Sequence, residues 1–310
     1  MKTIELKYPF DYRPNQAEQA ACAIGFFDGI HKGHQYVLQT AKDLANRLNK
    51  KLAVMTFTPH PSVVIKGGPT YFTYLNTFQQ KKQILADFGV EILYVIHFDP
   101  SVAQLEPQKF IDHYIVDLNI SQLVCGFDFT YGYRGAGNVN TLIAHSKERF
   151  GIHVVDKFNE GNQKVSSTRI RQLLAAGEVE QAKNLLTRPL MTEGTVIHGY
   201  KRGREIGYPT ANIAVKPEQL IPKIGVYYVT VLINGQTFHG MASLGYNPTF
   251  ENPEKEIKCE VYIFDFNQMI YDQSITVAWE KYIRPEFKFE TVDQLIAQLK
   301  EDEKEIRQLF

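Results

Sequence analysis

Residues 23–38, AIGFFDGIHKGHQYVL, join an apolar strand-like run to a segment whose apolar residues recur at helical spacing from Val37 onward. At such a junction, free backbone N–H groups and the positive end of the helix dipole attract anions. Gly33 lets a ligand approach the backbone, and His31 and His34 can donate hydrogen bonds to phosphate oxygens. The stretch therefore predicts a site that stabilises in-line attack at a phosphate. Two surface histidines at a helix start are the alternative.

The same alternation of apolar runs and helical segments continues to about residue 186. Short apolar strands separated by helices indicate parallel pairing with helices on both faces. We therefore predict an α/β fold with a Rossmann-like parallel sheet, whose ligands bind beyond the carboxyl ends of the strands. The predicted strands are ACAIGFF, LAVMTF, ILYVIHF, QLVCGF and IHVV.

The alternation of apolar runs and helical segments ends at residues 188–189. Long segments rich in Val, Ile, Tyr and Phe follow, and Asn234-Gly235 is typical of a tight hairpin. Thr291 is a candidate N-cap for a final helix with apolar residues at helical spacing. The sequence thus predicts two domains, 1–186 and 187–310, the second an antiparallel β-barrel with a terminal helix.

The composition is that of an ordinary globular protein. The chain has 310 residues, with 34 Lys+Arg against 34 Asp+Glu, so no basic surface favours nucleic acid. The three cysteines show no disulfide or thiolate-metal spacing. Since no signal peptide or membrane-length apolar run is evident, we expect a cytoplasmic protein without a membrane partner. The sequence does not indicate an oligomeric state.

A second candidate anion site lies in residues 164–174, KVSSTRIRQLL. Ser166, Ser167 and Thr168 supply hydroxyl groups at a predicted helix start, and Arg169 follows in the first turn. Cations are unfavourable at a helix N-terminus, so a bound anion explains this placement. A solvated basic turn is the alternative.

Residues 199–213, GYKRGREIGYPTANI, form a third candidate site in the second domain. Glycines free the backbone to fold around phosphates, basic side chains supply charge, and hydroxyl and amide oxygens suit magnesium. No Walker A sequence is present. The residues are Gly199, Lys201, Arg202, Gly203, Arg204, Gly207, Thr210 and Asn212.

Taken together, GFFDGIHKGH, FTPHP, GFDFTYG and SSTRIR resemble the adenylyltransferase half of the prokaryotic bifunctional riboflavin kinase/FMN adenylyltransferases, also called FAD synthetases. Residues 199–213 resemble the riboflavin kinase signature, so the resemblance covers nearly the whole chain. It implies that riboflavin is phosphorylated to FMN in the second domain. It also implies that FMN is adenylylated to FAD in the first, with ATP and Mg²⁺ used in both steps.

The resemblance also implies residue roles in the first domain. His31 and His34 contact the ATP phosphates, while Ser166, Ser167, Thr168 and Arg169 hold the triphosphate and pyrophosphate. Pro59, His60 and Pro61 shape the FMN pocket, although a structural turn is equally compatible with His60. The nucleotide pocket is implied to include Gly25, Phe26, Asp28, Gly33 and Asp128.

In the second domain, the resemblance places the proton acceptor for the riboflavin hydroxyl early on a strand, where Glu260 fits. Glu254 and Glu256 lie nearby in a predicted loop. Arg284 matches a position beside the flavin. Lys201, Gly203 and Gly207 are implied to bind ATP. Thr210 and Asn212 are implied to bind the metal.

Three other functions stay open on sequence alone. The chain could be a monofunctional FMN adenylyltransferase whose second domain only binds flavin. It could be a flavin-sensing regulatory protein, for which RNA binding would be the sign, although the balanced charge opposes this. A nucleotidylyltransferase for nicotinate mononucleotide or phosphopantetheine would leave the second domain unexplained.

Overall fold

The computed structural model describes residues 1–15, 18–65, 72–199, 202–246 and 257–310. The chain forms two compact units, Met1–Ser167 and Thr168–Phe310. Within the described residues, no helix is both long enough and apolar enough to span a bilayer. The predicted boundary after residue 186 separates catalytic domains rather than compact units, and it stays a prediction.

The first unit is built on a six-stranded sheet with the order β1-β4-β3-β2-β5-β8. Every pairing in this sheet is parallel, which confirms the predicted fold class. A π-helical turn, Asp112–Val116, and a 3₁₀ turn, Tyr133–Gly135, complete the unit. The strands are β1 (Lys2–Leu6), β2 (Ala20–Ile24), β3 (Lys51–Thr58), β4 (Ile92–His97), β5 (Ile120–Gly126), β6 (Thr130–Tyr131), β7 (Gly137–Asn138), β8 (Gly151–Val155), β9 (Asn159–Glu160) and β10 (Gln163–Lys164). The helices are α1 (Lys32–Leu48), α2 (Pro61–Ile65), α3 (Phe78–Phe88), α4 (Pro100–Ala103), α5 (Pro107–Ile111) and α6 (Val139–Ser146), and α7 (Ser167–Ala176) begins at the last residue of the unit.

The central strand β2 is buried at every position, as expected for a strand covered on both faces. Its alternating side chains enter two separate cores: Cys22 and Ile24 pack in one, Ala21 and Ala23 in the other. Helix α1 packs its apolar face into the second core. This burial fixes β2 in the middle of the sheet, with its carboxyl end leading directly into residues 25–30.

The sequence did not predict β1. It extends the sheet at one edge by pairing with β4, Ile4 opposite Tyr94. Only Ile4 and Leu6 are buried, because an edge strand has one neighbour and part of its surface faces solvent. The run KTIEL is therefore too short and too polar to stand out as a strand of a parallel sheet.

The second unit contains a closed six-stranded barrel with the order β11-β12-β15-β14-β13-β16, and its pairings are antiparallel. The predicted barrel and terminal helix are confirmed. The strands are β11 (Leu190–Ile197), β12 (Ala211–Val215), β13 (Gly225–Ile233), β14 (Gln236–Tyr246), β15 (Ile257–Ile263) and β16 (Ser274–Arg284). The helices are α8 (Val179–Leu186), α9 (Arg202–Glu205) and α10 (Val292–Arg307).

Two local predictions in the second unit are confirmed. Asn234 and Gly235 have φ angles of 48° and 82° and join β13 to β14 as a two-residue hairpin turn. Thr291 caps α10, because its side chain accepts a hydrogen bond from the Gln294 amide. Strand β12 was not predicted, since its sequence ANIAV follows the glycine-rich stretch and has few strand-favouring residues.

The barrel core contains a buried polar pair. The indole N–H of Trp279 donates to the hydroxyl of Thr192 over 2.9 Å, and both side chains are fully buried. Tyr227 packs edge-on against the indole ring at 5.0 Å between ring centres. Trp279 and Tyr227 thus pack in the core of the barrel.

We expect Thr192→Val to destabilise the second unit by about 1–3 kcal/mol, because the indole N–H would stay buried without its acceptor. Urea unfolding followed by Trp279 fluorescence measures this. Thr195→Val on the exposed side of the same strand is the matched control, expected to change stability by less than about 0.5 kcal/mol. Equal effects of the two variants would contradict a role for the buried bond.

Candidate active sites

Residues 25–30 connect β2 to α1 and form the floor of the first candidate site. The Gly25 amide donates to the Met55 carbonyl, and the Ile30 carbonyl accepts from the Gln35 side chain over 2.9 Å. Phe27 and Ile30 have φ angles of 54° and 41°, a region that bulky side chains rarely adopt. The surrounding contacts must therefore hold this loop in a strained conformation.

His31 caps α1. Its Nδ1 accepts a hydrogen bond from the His34 amide over 3.2 Å, and its side chain is only 4% exposed. Because Nδ1 accepts this bond, the neutral ring carries its proton on Nε2, where it can be donated. The His34 ring stacks on His31 at 3.7 Å between ring centres and meets Phe27 edge-on. The structure thus brings the two predicted histidines together at the helix N-terminus, beside Gly33.

Asp28 links this loop to two other segments. Its Oδ1 accepts from the Leu75 amide over 3.0 Å, and its carbonyl accepts from the Ser167 hydroxyl over 2.9 Å. The aspartate is buried, so these bonds fix it in place. The predicted residues Asp28 and Ser167 are therefore in contact. Ser166 directly precedes α7, and Thr168 and Arg169 continue its first turn.

Phe26 and His60 belong to one aromatic cluster. The His60 ring lies 4.3 Å from Phe26, edge-on, and stacks on Phe72 at 4.0 Å with an interplanar angle of 9°. The Tyr74 hydroxyl accepts from the His60 amide, and His60 Nδ1 accepts from the Ser62 amide. The Pro59-His60-Pro61 segment thus presents a fixed aromatic surface beside the predicted nucleotide loop.

Lys81 was missed by sequence reasoning although it contacts the same loop. Its ammonium donates to the Phe26 carbonyl over 2.7 Å and lies 4.2 Å from the centre of the Phe26 ring. Burial lowers the pKa of Lys81 to about 8, while the Asp28 carboxylate opposes the shift. A signal exists in the sequence: Lys81 shares the buried face of α3 with Leu85, one turn later, where an apolar residue is expected.

Asp128 lies in the loop after β5. Because β5 pairs parallel to β2, this loop and residues 25–30 both follow the carboxyl ends of their strands, on the same side of the sheet. Its carboxylate is 62% exposed and accepts from Lys164 Nζ over 2.8 Å. The Lys164 ammonium also lies over the Phe127 ring. In this structure Asp128 is thus held by a surface ion pair.

The second unit contains a cavity of about 350 Å³ between the barrel and α10. Thr210 and Glu260 line it together, with the Thr210 hydroxyl 3.3 Å from Glu260 Oε2. Predicted Gly203 and Arg284 also line it. Burial raises the pKa of Glu286, a further carboxyl in the cavity. The apolar part of the wall is formed by Tyr208, Phe287, Phe289, Leu295 and Leu299.

A neighbouring cavity of about 420 Å³ shares Thr210 with the first. Arg204 lines it, and its guanidinium donates to the Tyr271 hydroxyl over 3.0 Å. Glycines shape this region: a Cβ at Gly203 would lie 2.2 Å from the Tyr208 carbonyl oxygen. Gly207 has a φ of 85°. Thr210 therefore lines both cavities.

Asn212 is the cross-strand partner of Glu260 in the β12–β15 pair. A Cβ at Gly199 would lie 2.3 Å from the Asn212 amide nitrogen, so this glycine leaves the space that the side chain occupies. In the described part of the chain, no three His, Cys, Asp or Glu side chains are grouped to hold a metal. A hydroxyl and an amide oxygen from Thr210 and Asn212 are donors that suit Mg²⁺ when phosphate and water complete its shell.

Arg284 is tied to α10. Its guanidinium makes three hydrogen bonds of 2.6–3.0 Å to the carboxylate of Asp302, which is 2% exposed. It also lies 5.0 Å from the Phe287 ring. Sequence reasoning missed Asp302 because its partner is 18 residues away. The predicted residue Lys201 and the alternatives Glu254 and Glu256 lie outside the described residues.

The chain matches two family models in sequence order. The model described as FAD synthetase matches residues 13–169, and the model described as riboflavin kinase matches residues 186–310.

Relatives and a solved structure match over almost the whole chain. The bifunctional riboflavin kinase/FMN adenylyltransferases of Listeria monocytogenes and Bacillus subtilis are 44% and 40% identical, each covering 100% of this chain and 98% of the relative. That of Escherichia coli K12 is 35% identical, covering 96% and 95%. The crystal structure of a protein called macrolide-efflux protein, from Streptococcus pneumoniae, is 37% identical, covers 99% of both chains and has a TM-score of 0.88.

We expect Asp302→Ala to destabilise the second unit by about 3 kcal/mol, because the Arg284 guanidinium would lose its partner while staying mostly buried. Glu301→Ala, on the exposed side of the same helix, is the control. A double-mutant cycle with Arg284→Met, measured by urea unfolding, isolates the pair. Additive effects of the two substitutions would contradict a direct interaction.

Proposed function

The chain belongs to the family of bifunctional riboflavin kinase/FMN adenylyltransferases, and from this premise we propose how its two sites divide the reactions. The second site transfers the γ-phosphate of ATP to riboflavin and gives FMN. The first transfers AMP from a second ATP to FMN and gives FAD and pyrophosphate. The observation that carries this assignment is the order of the two family matches along the chain.

The similar protein from Streptococcus pneumoniae is named for macrolide efflux. Two features of this chain favour the flavin assignment instead: the paired histidines at the N-terminus of α1, and the Thr210–Glu260 pair where two cavities meet. Both arrangements suit transfer of phosphorus groups, and neither would be needed to move a macrolide.

In the adenylyl transfer, an FMN phosphate oxygen attacks the α-phosphorus of ATP, and the bond to pyrophosphate breaks. Negative charge accumulates on the α-phosphate oxygens in the transition state. The N-terminus of α1, the Nε2–H of His31 and the imidazole of His34 stabilise this charge, with Gly33 allowing close approach. Ser166 and Ser167 lie at the start of α7 to contact the triphosphate, and Gly25, Phe26 and Asp28 shape the nucleotide pocket.

The aromatic cluster around His60 provides the flavin side of this reaction. The stacked rings of His60 and Phe72 form a flat apolar surface next to Phe26. Such a surface suits the isoalloxazine ring, which offers a large π face. Asp128, Thr168 and Arg169 keep the nucleotide and phosphate roles predicted for them from the sequence.

In the kinase reaction, we place riboflavin in the 350 Å³ cavity and ATP in its neighbour. The apolar wall by α10 suits the isoalloxazine ring, and Arg204 suits phosphates. Glu260 accepts the proton of the ribityl hydroxyl as that oxygen attacks the γ-phosphorus, and ADP leaves. Arg284, held by Asp302, lines the flavin side. Lys201, Gly203 and Gly207 keep the ATP-binding roles predicted for them from the sequence, with Gly203 on the wall of the riboflavin cavity.

Mg²⁺ enters with ATP in this proposal. When bound, it offsets phosphate charge and aligns the phosphates for attack. Thr210 and Asn212 contribute one oxygen each. The position of Thr210 in both cavities supports this role, since the transferred phosphate must pass between nucleotide and flavin.

We also propose that the catalytic domains divide after residue 186. The riboflavin kinase match begins at residue 186, and Leu190 opens the first barrel strand. Helices α7 and α8 then belong to the adenylyltransferase sequence, although the second compact unit includes most of α7 and all of α8.

We expect His31→Ala to abolish FAD formation from FMN and ATP while FMN formation from riboflavin stays within about twofold of wild type. Removing the ring deletes both the cap and the phosphate donor. Glu260→Gln should do the reverse, with a loss of about 10²-fold or more in FMN formation. Chromatography of the flavin products from parallel reactions measures both activities.

His97→Ala and Glu218→Gln, at exposed positions, are the matched controls and should leave both activities near wild type. Loss of both activities in His31→Ala would contradict two separable sites. Full kinase activity in Glu260→Gln would remove the proton-acceptor assignment.

Thr210→Val should raise the Mg²⁺ concentration needed for half-maximal FMN formation, because one oxygen ligand and its bond to Glu260 are lost. The Mg²⁺ dependence of FAD formation should stay unchanged in the same protein, which serves as the internal control. An unchanged Mg²⁺ requirement for FMN formation would exclude Thr210 as a ligand.

A further inference from the structure

Lys81 is a basic residue at a position where a positive charge is unfavourable. The side chain is 4% exposed, and desolvation of an ammonium disfavours folding. It is also the fourth residue of α3, near the positive end of the helix dipole. The Asp28 carboxylate offsets part of this cost through its field, whereas a methionine of similar length would fill the space without desolvating a charge. Retention of a lysine here therefore calls for a specific contact that only a cation makes.

That contact is with Phe26. The Phe26 carbonyl accepts two hydrogen bonds, 2.7 Å from Lys81 Nζ and 2.9 Å from the hydroxyl of Thr56, which is fully buried. The same ammonium lies 4.2 Å from the Phe26 ring centre, within the range of a cation–π interaction. Lys81 thus restrains both the backbone and the ring of one loop residue.

The restrained residue leads directly into the strained part of the loop. Phe27 and Ile30, both with positive φ, connect Phe26 to His31. A strained segment keeps one conformation only when its surroundings over-determine it. The Asp28 bonds to Leu75 and Ser167 fix the middle of the loop, and Lys81 fixes its beginning.

We propose that Lys81 is a positioning residue for adenylyl transfer, acting through Phe26 to hold residues 25–30 in the conformation that places His31. The inference rests on the function proposed for the first site. Lys81 itself touches no reacting atom in this proposal. It contributes by preorganising the loop. A preorganised loop stabilises the transition state more than it stabilises the bound substrates.

The first experiment compares Lys81→Met with Lys82→Met, its neighbour on the more exposed side of α3. We expect the kcat for FAD formation from FMN to fall at least about tenfold in Lys81→Met, with the KM for ATP changing less than about threefold. Lys82→Met should stay within about twofold of wild type. FMN formation from riboflavin should be unchanged in both proteins.

Thr56→Val removes the other donor to the Phe26 carbonyl with little change of volume. It should also lower the kcat for FAD formation. In the double variant with Lys81→Met, the loss of kcat, expressed as a free energy, should be smaller than the sum of the two single losses, since both side chains act on one carbonyl.

Chemical rescue separates positioning from a general loss of folding. Lys81→Cys treated with 2-bromoethylamine regains an ammonium on a side chain of nearly lysine length. Because position 81 is as buried as the three native cysteines, the modification is carried out on unfolded protein that also carries Cys22→Ala, Cys125→Ala and Cys259→Ala. The protein is then refolded beside an unmodified sample, and mass spectrometry should show a single modification. We expect the modified protein to recover most of the lost kcat, whereas the unmodified Lys81→Cys stays impaired. Thermal unfolding of Lys81→Met should occur at or above the wild-type temperature.

Three results would overturn the inference: FAD formation within twofold of wild type in Lys81→Met, no recovery in the singly modified protein, or a lowered unfolding temperature that accounts for the lost activity. Wild-type protein that forms no FAD from FMN, ATP and Mg²⁺ would instead remove the function proposed for the first site.

Discussion

Parallel pairing of β2 with β3 on one side and β5 on the other is the constraint on which the first site depends. Ile24 lies opposite Met55 and Cys125, so all three strands end at one edge of the sheet. The loops that follow them therefore start side by side, although they are separated by up to about 100 residues of sequence. Because both faces of β2 are buried, a one-residue register shift would exchange its side chains between the two cores and disrupt the packing of both.

Antiparallel pairing positions the residues of the second site in a similar way. The β12–β15 register sets Asn212 opposite Glu260, and Thr210 lies just before β12. Closure of the barrel fixes this register, since a closed sheet has no free edge along which a strand can shift. Glu260 thus lies close to Thr210 and Asn212 although about 50 residues of sequence separate it from them.

The parts of the structure that the sequence predicted are those with a local signal. Strand and helix periodicity predicted the two fold classes, Asn234-Gly235 predicted a hairpin, and residues 23–38 predicted a helix that begins beside His31 and His34. Strands β1 and β12 were missed, because an edge strand and a short strand beside glycines carry weak patterns. Lys81 and Asp302 were missed for another reason: each is explained by a partner distant in sequence, which no local pattern reveals.

These two buried charges differ in how the protein compensates them, and this difference separates structural from functional roles. Asp302 has a full opposite charge in Arg284, with three hydrogen bonds, so the pair stabilises the attachment of α10 to the barrel. Lys81 is bonded to a neutral carbonyl and an aromatic face, with the Asp28 carboxylate acting only through its field. Neutral partners offset less of the desolvation cost of an ammonium. Lys81 thus adds little to the free energy of unfolding, and this agrees with the role proposed for it, which is to position the loop that leads to His31.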